Sequence, residues 1–143
     1  MIAAGGRVLD AARSAKAYGL AAAHLGLEEP LVVVSIAADT AARDYCILYN
    51  PEVTAIATET AVGMEGSVSL PGIEVPVERA VWVEVAYDDA QGQRDGLRLE
   101  GFAGRVAQHE IDQMNGVFFL ARVSRLKRET ALRKFEKSRR HGG

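Results

Sequence analysis

Cysteine is almost missing from this chain: Cys46 stands alone. No intrachain disulfide can form, so a small disulfide-stapled domain is excluded, and a lone thiol suits a reducing compartment. It sits in the apolar run Tyr45-Cys46-Ile47-Leu48-Tyr49, where a small core residue is expected. No apolar run reaches the roughly eighteen residues of a transmembrane helix, so no membrane span is expected. The opening Met1-Ile2-Ala3-Ala4-Gly5-Gly6-Arg7 is too short for the core of a secretion signal. Repeats, low-complexity linkers and any sign of a second domain are also lacking. The expectation is one soluble, cytoplasmic domain over residues 1–143.

What is present is an apolar fraction of 48%, which rules out wholesale disorder, and an uneven charge. Arg122 to Arg140 holds nine Lys/Arg against two Glu, a net +7, whereas the rest holds eight basic and seventeen acidic residues, a net −9. An acidic body thus carries a basic tail.

The local pattern predicts a helix over Arg7–Tyr18, stopped by Gly19. Buried strands are predicted over Leu31–Ile36 and Tyr45–Leu48, the second ended by Asn50-Pro51, and a further strand over Val53–Val62. Val75–Tyr87 reads as alternating strand with Arg79, Val81, Val83 and Val85 on one face. Leu97–Phe102 reads as a short strand, Ala103–Asn115 as a helix, and Ser124 as the cap of a last helix to about Arg139. The class is α+β.

Three segments could carry chemistry. Gln108-His109-Glu110-Ile111-Asp112-Gln113 places residues 109 and 113 on one helical face. In zinc hydrolases His-Glu-x-x-His sets two imidazoles on a metal and a Glu beside its water. Here the second imidazole is an amide, a poor transition-metal ligand. Glu65-Gly66-Ser67-Val68-Ser69-Leu70-Pro71-Gly72 alone reads as a loop. Tyr18-Gly19-Leu20-Ala21-Ala22-Ala23-His24-Leu25-Gly26 alone reads as a helix stop and a tightly packed segment.

Together and in this order, the three resemble the signature motifs of the peptide deformylase family: G-x-G-L-A-A-x-Q, E-G-C-L-S and Q-H-E-x-D-H-L-x-G. Asn50-Pro51-Glu52, Ser69-Leu70-Pro71-Gly72 and Gly101-Phe102-Ala103-Gly104-Arg105-Val106 are similar to the family's connecting text. The resemblance spans about Lys16 to Leu120. It implies a deformylase-like fold, with mixed or antiparallel sheets around a central helix bearing His109-Glu110. It also implies a cytoplasmic hydrolase of N-formylmethionine peptides that uses iron or zinc.

Residue by residue, the resemblance puts Glu110 at the general base, and His24 where the family has its oxyanion-binding Gln. Gly19 matches a motif glycine, and Val68 falls where a backbone N–H would help hold the oxyanion. His109 matches the first metal-binding His. Ser67 replaces the Cys thiolate and Gln113 the second His, while Ala17 replaces the first glycine of the first motif. A hydroxyl is not ionised near neutral pH, and an amide offers no imidazole nitrogen.

The expectation is therefore a deformylase-like protein that needs no cofactor and lacks ordinary metal-dependent deformylation. The alternatives are a hydrolase with altered chemistry, including a Ser67–His24–Glu110 set or a metal on His24, His109 and Glu110, and residual activity with weakly held zinc or iron. Expected partners are a formyl-methionyl peptide or nascent chain, and ribosome or RNA through Arg122–Arg140. The lead before the first motif is short for the family, which would leave apolar surface for a second copy to cover.

Overall fold

The computed structural model describes residues 2–67 and 70–142, the last three of these by backbone alone. A helix α1 (Ile2–Ala15) leads into β1 (Gly19–Ala21), a 3-10 turn over Ala22–Leu25, then β2 (Leu31–Ser35) and β3 (Tyr45–Ile56). A hairpin follows, β4 (Thr60–Ser67) and β5 (Leu70–Ala80), then β6 (Trp82–Asp88), β7 (Arg94–Glu100) and α2 (Gly101–Met114). A 3-10 turn over Phe119–Arg122 and α3 (Arg125–Gly142) end the chain. The fold is α+β, and all strand pairs are antiparallel.

The strands form a five-stranded sheet in the order β1-β2-β3-β6-β7 and a separate two-stranded sheet, β4-β5. All five residues of β2 are buried because the sheet is covered on both faces. Val32 and Val34 point into the core shared with α2 (Val106, Ala107, Ile111). Leu31 and Val33 point the other way, into the core shared with α1 (Ala4, Val8, Ala12). The period-two alternation of a strand thus serves two cores at once. A third core joins Ile73, Val75 and Val77 of β5 to Phe119, Leu120 and Ala131.

Several local expectations are corrected. The first helix starts at Ile2 and ends at Ala15, not Arg7 to Tyr18. The Gly5-Gly6 pair weakens helix propensity, but Gly5 packs against Tyr49, whose hydroxyl leaves no room for a Cβ there. Lys16 adopts a left-handed φ of 52° and ends the helix before Gly19 does. Asn50-Pro51 does not end a strand, because β3 runs through it with register shifts against β6 and Asn50 at φ 47°. A bulge tolerates a proline that can donate no ladder hydrogen bond. Residues 65–67 and 70–72 belong to the paired strands β4 and β5 rather than to a loop, and Val53–Val62 is divided between β3 and β4. The run 75–87 breaks at Val81, so β5 and β6 belong to different sheets. Cys46 is half-buried at the core edge rather than enclosed. Ser124 does cap α3, with the Lys127 N–H donating to its Oγ at 3.3 Å. No helix among the described residues is long and apolar enough to cross a membrane.

Candidate functional site

The site grows from where α2 lies across β1 and under the β4-β5 hairpin. Gly19 opens β1, and a Cβ there would meet Val106 Cγ1 at 2.7 Å and Glu110 Cγ at 2.9 Å. Only glycine lets this strand lie so close to the helix. The result is a cleft of ≈ 580 Å³ between β1, the end of β4 and α2. Gly19, His24, Ser67, His109 and Glu110 all line it. Segments as much as 91 residues apart in sequence, Gly19 and Glu110, are thereby brought together. Gln113 does not line the cleft, and its Oε1 is buried without a hydrogen-bond partner among the described residues. Val68 lies outside the described residues.

Beneath the cleft is a buried ionic network. Glu65 accepts from Arg79 Nε and Nη2, each at 2.9 Å, and from Arg105 Nη1 at 2.8 Å. Its Oε1 also meets His109 Nδ1 at 2.8 Å. Burial alone pushes the Glu65 carboxyl up, but the His109 hydrogen bond and the Arg79 guanidinium outweigh it and hold it at about 2. An ionised carboxylate only accepts, so Nδ1 carries the proton. That fixes the imidazole with Nε2 directed away from Glu65, and Phe119 packs against the ring at 5.4 Å. Arg79 also donates to Asp112 at 2.6 Å, and Arg122 donates to the same carboxylate at 2.8 and 2.9 Å. Arg105 reaches the carbonyls of Val77 and Ala61 as well, tying the hairpin to α2.

Glu110 is also buried, but unlike Glu65 its Oε1 has no hydrogen-bond partner among the described residues. Burial pushes its carboxyl up to about 7. His24 is half-buried, with Nδ1 3.1 Å from the Ala21 N–H and 3.2 Å from the Ala21 carbonyl. Burial lowers its pKa, opposed by the Ala21 backbone bond. With Nδ1 engaged by the backbone, His24 is a ring fixed beside the cleft. One wall is aromatic: Tyr18 and Phe102 stand edge to face at 4.6 Å, and Arg43 lies 3.7 Å over the Tyr18 ring.

The polypeptide deformylase family model matches residues 6–129. The chain is 41% identical to a peptide deformylase-like protein of Rhizobium meliloti (strain 1021), over 91% of this chain and 74% of that one. It is 33% identical to a peptide deformylase of the same organism, over 92% and 75%. It belongs to the polypeptide deformylase family. The crystal structure of peptide deformylase from Ehrlichia chaffeensis superposes with a TM-score of 0.85 at 26% identity, covering 94% of this chain and 80% of that one.

Members of this family use a divalent metal. At the positions that the motif resemblance assigns to the metal, this chain offers one imidazole, one hydroxyl and one amide, a set that does not fit a transition-metal ion. Among the described residues, no three of His, Cys, Asp and Glu are placed to hold a metal together. Sequence reasoning did not assign Arg105, Arg79, Tyr18 or Phe102 to the site. Arg105 carried a usable signal, since it lies one helical turn before His109 and so on its face.

Proposed function

We propose that this chain is a deformylase-family protein that has given up ordinary metal-dependent removal of N-formyl groups while keeping a cleft for a peptide end. The observation that carries this reading is the fate of position 113. An amide stands there, outside the cleft lining, with its oxygen buried and unpaired among the described residues. Ser67 at the end of β4 supplies no thiolate. Without the ion there is no Lewis acid and no water of lowered pKa, so deformylation loses its main source of rate. Greater identity to the deformylase-like relative than to the deformylase of the same organism supports the same reading. The test is elemental analysis of protein purified without chelators, paired with a formyl-methionyl peptide assay. Less than about a tenth of an equivalent of iron or zinc is expected, and near-stoichiometric metal overturns the proposal.

A second reading, residual or altered hydrolysis of formyl-methionyl peptides, draws on Glu110. A carboxyl held at about 7 sits where general acid–base work is most efficient. Hydrolysis that disappears in Glu110→Ala would favour it.

The basic α3 is proposed to contact RNA, as on a ribosome surface. Arg125, Lys127, Arg133, Lys134, Lys137 and Arg139 are exposed, and phosphate attraction of this kind weakens with salt.

A further inference from the structure

The strand β7 ends the order of the five-stranded sheet, so one side of it has no partner strand among the described residues. The opposite edge, β1, has three residues, but β7 has seven and pairs with β6 through all of them without a register shift. It also lacks the lysine, proline or bulge that commonly guards such an edge. The Asp89 N–H donates to the Gln93 carbonyl and the Gly101 N–H to the Val81 carbonyl. The odd-numbered residues of β7 therefore make the ladder with β6, and Arg94, Gly96, Arg98 and Glu100 turn their backbone N–H and C=O groups to the open side. The Gly96 N–H on that side donates to the Asp95 carboxylate at 2.8 Å, a local bond that an added strand would replace.

The side chains decide which strand fits. Leu97 and Leu99 face the core shared with α2, so Arg94, Gly96, Arg98 and Glu100 share the other face. A second copy that meets β7 about a two-fold axis perpendicular to the sheet keeps each face with its like. Full overlap of the seven residues puts Leu97 on the axis. Arg94 of each copy then stands opposite Glu100 of the other, and Arg98 stands opposite Gly96, which has no side chain to crowd the guanidinium. Moving the axis by one residue sets Arg94 opposite Arg98, or Arg98 opposite itself, and opposed like charges destabilise a strand pair. The register that aligns the whole strand is also the one whose charges agree. Arg94 leans on Asp88 and Glu52 within its own chain, at 3.2 and 3.4 Å, and Glu100 on Arg98 at 3.0 Å, yet 44% and 67% of these two side chains stay exposed.

We propose that two copies of this chain join edge to edge through β7, antiparallel about Leu97, so that their sheets run on as one. This places a second copy at the β7 edge rather than over the amino-terminal helix. No residue of β7 lines the cleft, so the interface stands or falls apart from the metal. A strand edge makes a small interface, and association is reversible, with a dissociation constant on the order of tens of micromolar.

The test is sedimentation velocity of the full chain from about 2 to about 200 µM. The dimer fraction is expected to rise across that range. Arg94→Glu and Glu100→Arg, each alone, set like charges opposite one another at both ends of the interface and are expected to weaken association about fivefold or more. The two changes together reverse the pair and are expected to restore it. On the unmodified chain, hydrogen exchange at the Gly96 and Arg98 amides is expected to slow as concentration rises. A monomer throughout, a dimer that both reversals leave unchanged, or a double change that fails to recover what the single ones lose would each overturn the proposal.

Discussion

Glu65 Oε1 and His109 Nδ1 lie 2.8 Å apart, although 44 residues separate them in the chain. The carboxylate that orients the imidazole is itself held by two arginines. On the proposed reading, this carboxylate support of His109 has outlasted the metal, since Glu65 orients the ring as an outer-shell carboxylate would. Replacing Glu65 strands buried Arg79 and loosens Arg105 together. Glu65→Gln is expected to cost about 3–5 kcal/mol, the range for breaking a buried ion pair. Urea unfolding of the variant measures it, and a change within error of zero would contradict the network's role.

The two buried glutamates predict opposite pH slopes. Glu65 falls from an ordinary value of 4.5 to about 2 on folding, so its contribution is present above pH 4.5 and is lost as pH drops toward 2. Glu110 rises from 4.5 to about 7, so its contribution is full below pH 4.5 and is lost as pH climbs through 7. Each shift corresponds to about 3 kcal/mol. Stability from these groups should peak near pH 4.5 in thermal melts. In Glu110→Gln the decline between 4.5 and 7 should vanish.

Restoring the ligands should restore the ion. Ser67→Cys with Gln113→His is expected to raise bound iron or zinc from below about 0.1 to near one equivalent. Either substitution alone should fall well short, because two protein donors hold such an ion poorly. An unchanged metal content in a folded double variant would mean that the cleft geometry, not only its donors, has diverged.

Gly19→Ala tests how closely β1 lies on α2. The added methyl would meet Val106, Glu110 and the Val33 carbonyl within 3.1 Å. Overpacking of this kind costs about 1–3 kcal/mol, readable as a lowered melting temperature.

Charge reversal of Lys134 and Lys137 should weaken RNA binding at low salt. The log–log slope of affinity against salt should flatten by about one unit for each phosphate that is no longer neutralised. Thermal stability should barely change, because both side chains are exposed.

The short, ordered motifs singled out Gly19, His24, Ser67, His109 and Glu110, and the fold brings these five to one cleft. Gln113 departed from that picture: it shares the helix face in pattern but does not line the cleft. The β-hairpin was not legible. Gly66, Pro71 and Gly72 look like loop residues, and only cross-strand pairing makes Glu65–Gly66 opposite Glu74–Val75 a ladder. The first helix was underestimated for a similar reason, since Gly5 makes sense only once Tyr49 is known to lie against it. In both cases the deciding partner is distant in sequence, where local propensity carries no information.

The β4-β5 pair shares no ladder with the five-stranded sheet. At the root the two ladders part: the Ala57 N–H donates to Trp82 and closes the β3-β6 pair, while the Val81 N–H donates to Glu59 and closes the β4-β5 pair. Above that root, Arg79 and Arg105 clasp the smaller leaf to the helix. The smaller leaf is thus moored to the helix by buried side chains rather than by pleated backbone, and because those clasps are shielded from water, dissolved ions leave the crevice nearly as it stands.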